Sequence, residues 1–84
     1  METLTNYPNI GSFLAQQLEQ VGITSISYLK ELGSKQAWLR IKAIDDSACI
    51  NRLYSLEGAI RGIKKAELPE EIKQDLKTFY QKNK

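Results

Sequence analysis

The most strongly patterned part of the chain is the run Leu53-Tyr54-Ser55-Leu56-Glu57-Gly58-Ala59-Ile60-Arg61-Gly62. It lies in a predicted helix over about residues 48–62. At 100° per residue, an apolar arc about 80° wide gathers Cys49, Leu53, Leu56, Ile60 and Ile63. This pattern predicts the central helix of the fold and makes Cys49 a buried, unreactive core thiol.

A first helix is predicted to follow Tyr7-Pro8-Asn9-Ile10-Gly11. Asn9 is the predicted N-cap, because its side-chain oxygen can accept a hydrogen bond from an amide left free in the first turn. Gly22 is predicted to end the helix in the left-handed conformation, with Ile23 supplying the apolar contact that accompanies such an ending. The apolar positions at helical spacing are Phe13, Leu14, Leu18 and Val21.

Three further helices complete the predicted fold. Ser25 is the predicted cap of the second helix, which Gly33 ends, and Ser34 is the predicted cap of the third, over about residues 35–44. A polar turn, Asp45-Asp46-Ser47, precedes the central helix. Pro69 suits the first position of the fifth helix. The side chains predicted to face inward are Ile26, Leu29, Leu32, Ala37, Trp38, Ile41, Ile44, Ile72, Leu76, Phe79 and Tyr80.

Length and composition favour one domain over residues 1–84. The chain has 84 residues, of which 42% are hydrophobic and 26% charged, as in ordinary globular proteins. It shows neither a signal peptide nor the ~18 consecutive apolar residues of a membrane span. One cysteine cannot form an internal disulfide, which suits a reducing compartment. We therefore expect a compact all-α, five-helix domain that is cytoplasmic and does not contact a membrane.

The residue types needed for catalysis are scarce. The chain contains no histidine, and one cysteine cannot make a structural zinc site. Glu57 precedes Arg61 by four residues, the favoured order for a helical ion pair, so it is predicted to form a half-buried structural pair. We expect no cofactor, metal or small-molecule substrate. An enzyme that uses Glu57 or Cys49 is the weakest hypothesis.

Two segments are candidates for nucleic-acid contact. The first is the loop Asn9, Ile10, Gly11 and Ser12, where amides at a helix N-terminus can bind phosphate. The second is the basic cluster Arg61, Lys64 and Lys65, within residues 30–65, where eight basic residues stand against four acidic ones. The alternative interpretations are an ordinary capped helix start and an ordinary soluble helix end.

The chain resembles the C-terminal domain of the TfoX (Sxy) family, bacterial regulators of natural competence, over about residues 4–80. The resemblance is carried by residues 53–62, close to that family's leucine-rich LEGA-[IL]-RG helix. Supporting elements are Pro8-Asn9-Ile10-Gly11, Gly22-Ile23-Thr24, Leu29 through Leu32-Gly33, and Leu68-Pro69-Glu70-Glu71. It implies a helical domain related to helix-hairpin-helix and SAM-like modules, without catalytic residues. Two-part members of the family also carry an N-terminal domain that these 84 residues lack.

Two functional hypotheses follow. The first is a non-enzymatic regulatory module that binds the backbone of nucleic acid weakly and independently of sequence. The second is a protein-interaction adaptor, with a homodimer as one form, because a net charge of +2 is low for a dedicated DNA-binding domain.

Overall fold

The computed structural model describes residues 4–84, which form five α-helices and two short 3₁₀ turns. The turns are Leu4–Asn6 and Lys65–Glu67. The helices are α1 (Ser12–Gln20), α2 (Ile26–Leu32), α3 (Ser34–Ile44), α4 (Ile50–Arg61) and α5 (Glu70–Asn83). The all-α, five-helix prediction is confirmed for the described residues.

Helix α4 is the central helix, as its pattern predicts. It packs against α2, α3, α5 and the second 3₁₀ turn. Leu53 and Leu56 of α4 are fully buried, as are Trp38 and Ile41 of α3. Leu76 brings α5 onto the same core, which also includes Leu14, Leu18, Ile23, Ile26 and Leu29. Because these helices are short, their stability comes from this shared burial more than from helix propensity.

Helices α1 and α4 end in the same way. Gly22 and Gly62 both have positive φ, at 84° and 74°, the left-handed conformation that glycine adopts without strain. The residue after each glycine donates its amide back into the helix, Ile23 to Leu18 at 2.8 Å and Ile63 to Gly58 at 3.0 Å. These are Schellman motifs. The predicted ending of the first helix is confirmed.

The predicted helix starts are partly confirmed. The Ser25 hydroxyl accepts a hydrogen bond from the Tyr28 amide at 3.1 Å and caps α2, as predicted. Asn9 does not cap α1, because that helix begins after Gly11, two residues later. Ser34 lies inside α3, and its hydroxyl donates to Glu57 at 2.6 Å. Pro69 lies one residue before α5.

Two predictions of burial are wrong, and one residue at helical spacing is exposed. Cys49 is exposed, because α4 begins only at Ile50 and Cys49 has extended backbone before it. Ile44, expected to face inward, is the last residue of α3 and is 51% exposed. Phe13 lies off the apolar stripe of α1 and is 61% exposed.

Asn9 connects the N-terminal loop to the end of α4. It stands third in the turn Tyr7–Ile10, with φ of 68°, as the third residue of a type II turn requires. Its side-chain nitrogen donates to the Ile63 carbonyl at 2.9 Å. Its side-chain oxygen accepts from the Lys65 amide, also at 2.9 Å. The nitrogen and the oxygen of the Asn9 side chain therefore both bind a segment more than fifty residues away in sequence.

Gly58 makes room for this connection. A Cβ atom at position 58 would overlap the Asn9 side-chain nitrogen and would lie 2.8 Å from the Ile63 carbonyl oxygen. Real Cβ contacts are not this short, so a side chain would displace the Asn9 amide from its bonds. The glycine inside α4 costs about 1 kcal/mol relative to alanine in helix propensity. Glycine fits this position because the loop that contains Asn9 crosses α4 here and leaves no room for a side chain.

Replacing Gly58 with alanine should destabilise the protein, although alanine favours helix. We expect the Gly58→Ala variant to lose about 1–3 kcal/mol, as overpacked sites do. Urea unfolding followed by circular dichroism measures this change. Gly11→Ala is the matched control, because a Cβ there has no heavy atom within 4 Å, and it should cost less than about 1 kcal/mol. Equal stability of Gly58→Ala and wild type would contradict the close packing.

Candidate nucleic-acid interface

The predicted contact loop divides into an anchored half and an open half. Ile10 is 4% exposed and holds the loop in the core, and both side-chain polar atoms of Asn9 are hydrogen-bonded within the chain. Gly11 and Ser12 are exposed at the start of α1. No side chain of the described residues 4–84 caps this helix, so its first amides stay available to an outside acceptor.

The same Asn9 bonds bring part of the predicted basic cluster to this loop. The amide of Lys65 is bonded to Asn9, and Lys64 lies between this amide and the Ile63 carbonyl that Asn9 also contacts. Both lysines are exposed. Within residues 4–84, neither lysine side chain forms an ion pair, hydrogen bond or ring contact. The loop and the two lysines are therefore neighbours.

Arg61, the third member of the predicted cluster, is engaged elsewhere. Its Nε donates to the Glu57 carboxylate at 2.6 Å, in the predicted i,i+4 pair. The other oxygen of Glu57 accepts from the Ser34 hydroxyl. Ser34 is 4% exposed, so the Glu57 carboxylate satisfies a buried donor and joins α3 to α4. This arrangement fits the structural role predicted for Glu57.

Glu57 and Arg61 also line a groove of about 370 Å³ between α3, α4 and α5. Its apolar part comes from Leu32, Ile72 and Leu76. The ion pair between Lys35 and Asp75, 2.7 Å apart, lies on the same groove. The charged groups that line it are therefore paired with one another.

A second groove, of about 300 Å³, lies between the starts of α1 and α4, and we call it the α1–α4 groove. Asn9, Gly11 and Phe13 line one side, and Cys49, Asn51 and Arg52 line the other. Within residues 4–84, no side chain caps either helix. The N-terminal end of each helix carries partial positive charge, so both helix dipoles have their positive ends at this groove. None of its lining residues is acidic.

Arg52 has two contacts at the rim of this groove. Its guanidinium lies 5.5 Å from the centroid of the Phe13 ring, within the range of a cation–π interaction. Its Nη1 donates to the Asp45 carboxylate at 2.9 Å. These contacts fix the guanidinium beside the exposed ring.

Asp45 joins three parts of the fold. It accepts hydrogen bonds from the Ser47 hydroxyl and amide in its own turn, from Gln17 of α1 at 2.8 Å, and from Arg52 of α4. The Ser47 hydroxyl contributes most to holding the pKa of the Asp45 carboxyl well below its usual range, followed by Gln17, the Ser47 amide and Arg52. The polar turn predicted at residues 45–47 therefore also positions Arg52.

No pattern in the sequence predicts that Phe13 and Arg52 are neighbours in a groove. A step of 100° per residue places Phe13 about 100° from Leu14, outside the stripe of Leu14, Leu18 and Val21. Its exposure was therefore open to prediction. The approach of Arg52 to Phe13 depends on how α1 and α4 pack, which no local pattern contains.

Between residues 4 and 84, no three of the Cys, Asp and Glu side chains are grouped so that they could hold a metal ion. No helix in the same range is long and apolar enough to cross a membrane.

Protonation of Asp45 should destabilise the fold. Because its pKa is lower in the folded protein than in the unfolded chain, its contribution is present above the unfolded pKa of about 3.9 and is lost as the pH falls further. We therefore expect Asp45→Asn to be less stable than wild type at about pH 6, with the difference shrinking towards about pH 2. Urea unfolding across this pH range measures it.

Asp46→Asn is the matched control, because it removes the same charge from the exposed neighbour. Asp46 has no part in the hydrogen bonds around Asp45. A stability difference for Asp45→Asn that stays constant with pH would contradict the role given to this carboxylate.

Two solved structures are similar to this fold. A crystal structure of an uncharacterized protein from Listeria monocytogenes, in a triclinic form, superimposes with a TM-score of 0.95 at 46% identity, covering 96% of this chain and 92% of that one. A tetragonal form, of a Listeria monocytogenes protein of unknown function, gives 0.94 at 46% identity and covers 96% and 99%.

Sequence comparison places the chain in a family. It is 39% identical over 75 residues to the protein Sxy of Escherichia coli strain K12, which covers 89% of this chain and 36% of that protein. The chain thus corresponds to about a third of the length of this relative. Residues 1–80 match the family of the TfoX C-terminal domain. This chain belongs to the TfoX C-terminal domain family.

Proposed function

We propose that this protein is a non-enzymatic regulatory module that binds the phosphate backbone of nucleic acid without sequence preference. One observation carries the proposal. The hydrogen bonds of Asn9 to the Ile63 carbonyl and the Lys65 amide hold the loop that leads into α1 against the backbone of Lys64 and Lys65. The open half of the predicted loop and two of the three predicted basic residues are therefore neighbours, whereas Arg61 is paired with Glu57.

The chemistry of this surface suits phosphate. The exposed start of α1 offers amide donors and the positive end of a helix dipole. The two lysines add mobile positive charges that are not neutralised by a carboxylate of residues 4–84. Other basic side chains of the same region are held by partners, as for Lys35 with Asp75 and Arg61 with Glu57. The lysine pair therefore contributes its full charge to an anionic ligand.

Membership of the TfoX C-terminal domain family supports a regulatory setting. The resemblance implies control of natural competence, and the similarity to Sxy agrees with it over the shared third of that protein. We propose that the domain supplies a binding function in such a system. The contacts of Glu57 with Ser34 and Arg61 give the charged groups of the family's characteristic helix a structural role.

Binding should be weak and sensitive to salt. A surface that neutralises two or three phosphates loses about 10- to 40-fold in affinity between about 50 and 200 mM salt, because condensed counterions are released. Fluorescence anisotropy of a labelled duplex at both salt concentrations measures this effect. Duplexes of unrelated sequence should bind equally, since backbone contacts carry no sequence information.

Removing the two lysine charges should weaken binding and flatten its salt dependence. We expect the Lys64→Gln, Lys65→Gln double variant to lower the slope of log affinity against log salt by about 1.8, or 0.9 for each phosphate contact. The matched control is Lys77→Gln with Lys82→Gln, which removes the same charge from exposed positions of α5. The control should bind like wild type.

Equal weakening by both double variants would show a general charge effect and contradict the assigned surface. Absence of wild-type binding to both duplex and single strand at the lower salt concentration would overturn the proposed function. The protein-interaction adaptor, including the homodimer, would then be the hypothesis to test. Light scattering over a range of protein concentrations would detect self-association directly.

A further inference from the structure

Phe13 differs from the other aromatic residues of the chain. It is 61% exposed, whereas Trp38 is fully buried and the tyrosines and Phe79 pack against the core. A ring exposed to this degree keeps much of its apolar surface in water. Phe13, in the first turn of α1, therefore has ring surface available to a ligand.

The surroundings of this ring suit an aromatic anion. Arg52, which is ion-paired with Asp45, lies 5.5 Å from the ring centroid. The ring lines the α1–α4 groove, where the start of α1 leaves amide donors free. At about 300 Å³ the groove is at the lower end of the ~300–1,000 Å³ range of small-ligand sites. The groove also shares Asn9 and Gly11 with the surface assigned to phosphate. Charge and shape therefore favour one base with its phosphate over an uncharged partner.

We infer that the α1–α4 groove binds an unpaired nucleotide of single-stranded nucleic acid, whose base stacks on Phe13 while its phosphate lies towards the start of α1. Arg52 supports the stack through its contact with the ring. This inference rests on the proposed function and names its substrate class. It makes the single strand, not the duplex, the preferred ligand.

The preference follows from the cost of exposing a base. Within a duplex each base is stacked and paired, so a base reaches Phe13 only after extrusion, which costs a few kcal/mol. A single strand presents its bases without this cost. Stacking of one base on an aromatic side chain changes affinity by about 5- to 150-fold when the side chain is removed.

Fluorescence anisotropy with a labelled oligothymidylate of about 12 nucleotides tests the inference at low salt. We expect Phe13→Leu, which keeps an apolar side chain but removes the ring, to weaken single-strand binding by about 5- to 150-fold. Phe13→Tyr keeps the ring and should bind like wild type. Ile44→Ala is the matched control, because Ile44 is the other large exposed apolar residue within residues 4–84, at 51%, and should have no effect.

Cys49 offers a second measurement on the unmodified protein. It is the one cysteine of the chain, it is exposed, and it lines the same groove. Saturating oligothymidylate should slow its alkylation by iodoacetamide. An unchanged alkylation rate under conditions of full binding would place the nucleotide elsewhere and overturn the inference.

The outcomes separate this inference from the proposed function. If wild type binds duplex and single strand equally and Phe13→Leu changes neither, the stacking inference fails while backbone binding stands. If wild type binds neither ligand at low salt, the proposed function fails and the inference fails with it. If Phe13→Tyr loses as much affinity as Phe13→Leu, the ring does not act by stacking and the inference is wrong.

Discussion

The hydrogen bonds of the Asn9 side chain are the constraint on which the rest of this structure depends. They join the N-terminal loop to the chain that leaves α4, across more than fifty residues of sequence. Asn9 can make them because it adopts a left-handed conformation, which asparagine tolerates better than most residues. Gly58 leaves space for its amide, and Gly62 turns the Ile63 carbonyl out of the helix. Both glycines of the family's characteristic helix thus allow the hydrogen bonds of Asn9.

This connection also shapes the surface assigned to function. Since the Asn9 amide is occupied inside the chain, it does not meet a ligand, and its effect on binding comes through position. It holds the loop before α1 against the backbone of Lys65 and lines the groove that contains Phe13. Two hydrogen bonds therefore fix the loop that leads into α1 and Phe13 against the segment that carries Lys64 and Lys65. The polar groups of α4 are used to hold the helices together, as Glu57 does between Ser34 and Arg61.

Interactions between residues close in sequence were predicted correctly, whereas those between residues distant in sequence were not. The cap at Ser25 and the helix ending at Gly22 depend on residues within one or two turns, and both were predicted. Asn9 was assigned to the wrong role because its partners are far away in sequence, although its type and place in a turn were visible. The apolar pattern predicts Cys49 in the core because it extends the helix to residue 48, whereas α4 begins at Ile50. The exposure of Phe13 could have been predicted from its angle on the helix, whereas its contact with Arg52 depends on how α1 and α4 pack against each other.

Hydrogen exchange of the Lys65 backbone amide tests the central claim most directly. Asn9 accepts from this amide, whereas the next amide, that of Ala66, has no partner within residues 4–84. We expect Lys65 to have a protection factor at least about fivefold above that of Ala66, the factor that corresponds to a hydrogen bond of about 1 kcal/mol. The Asn9→Gly variant, which keeps the turn but removes the acceptor, should abolish the difference. Equal protection of the two amides in the wild-type protein would contradict the account.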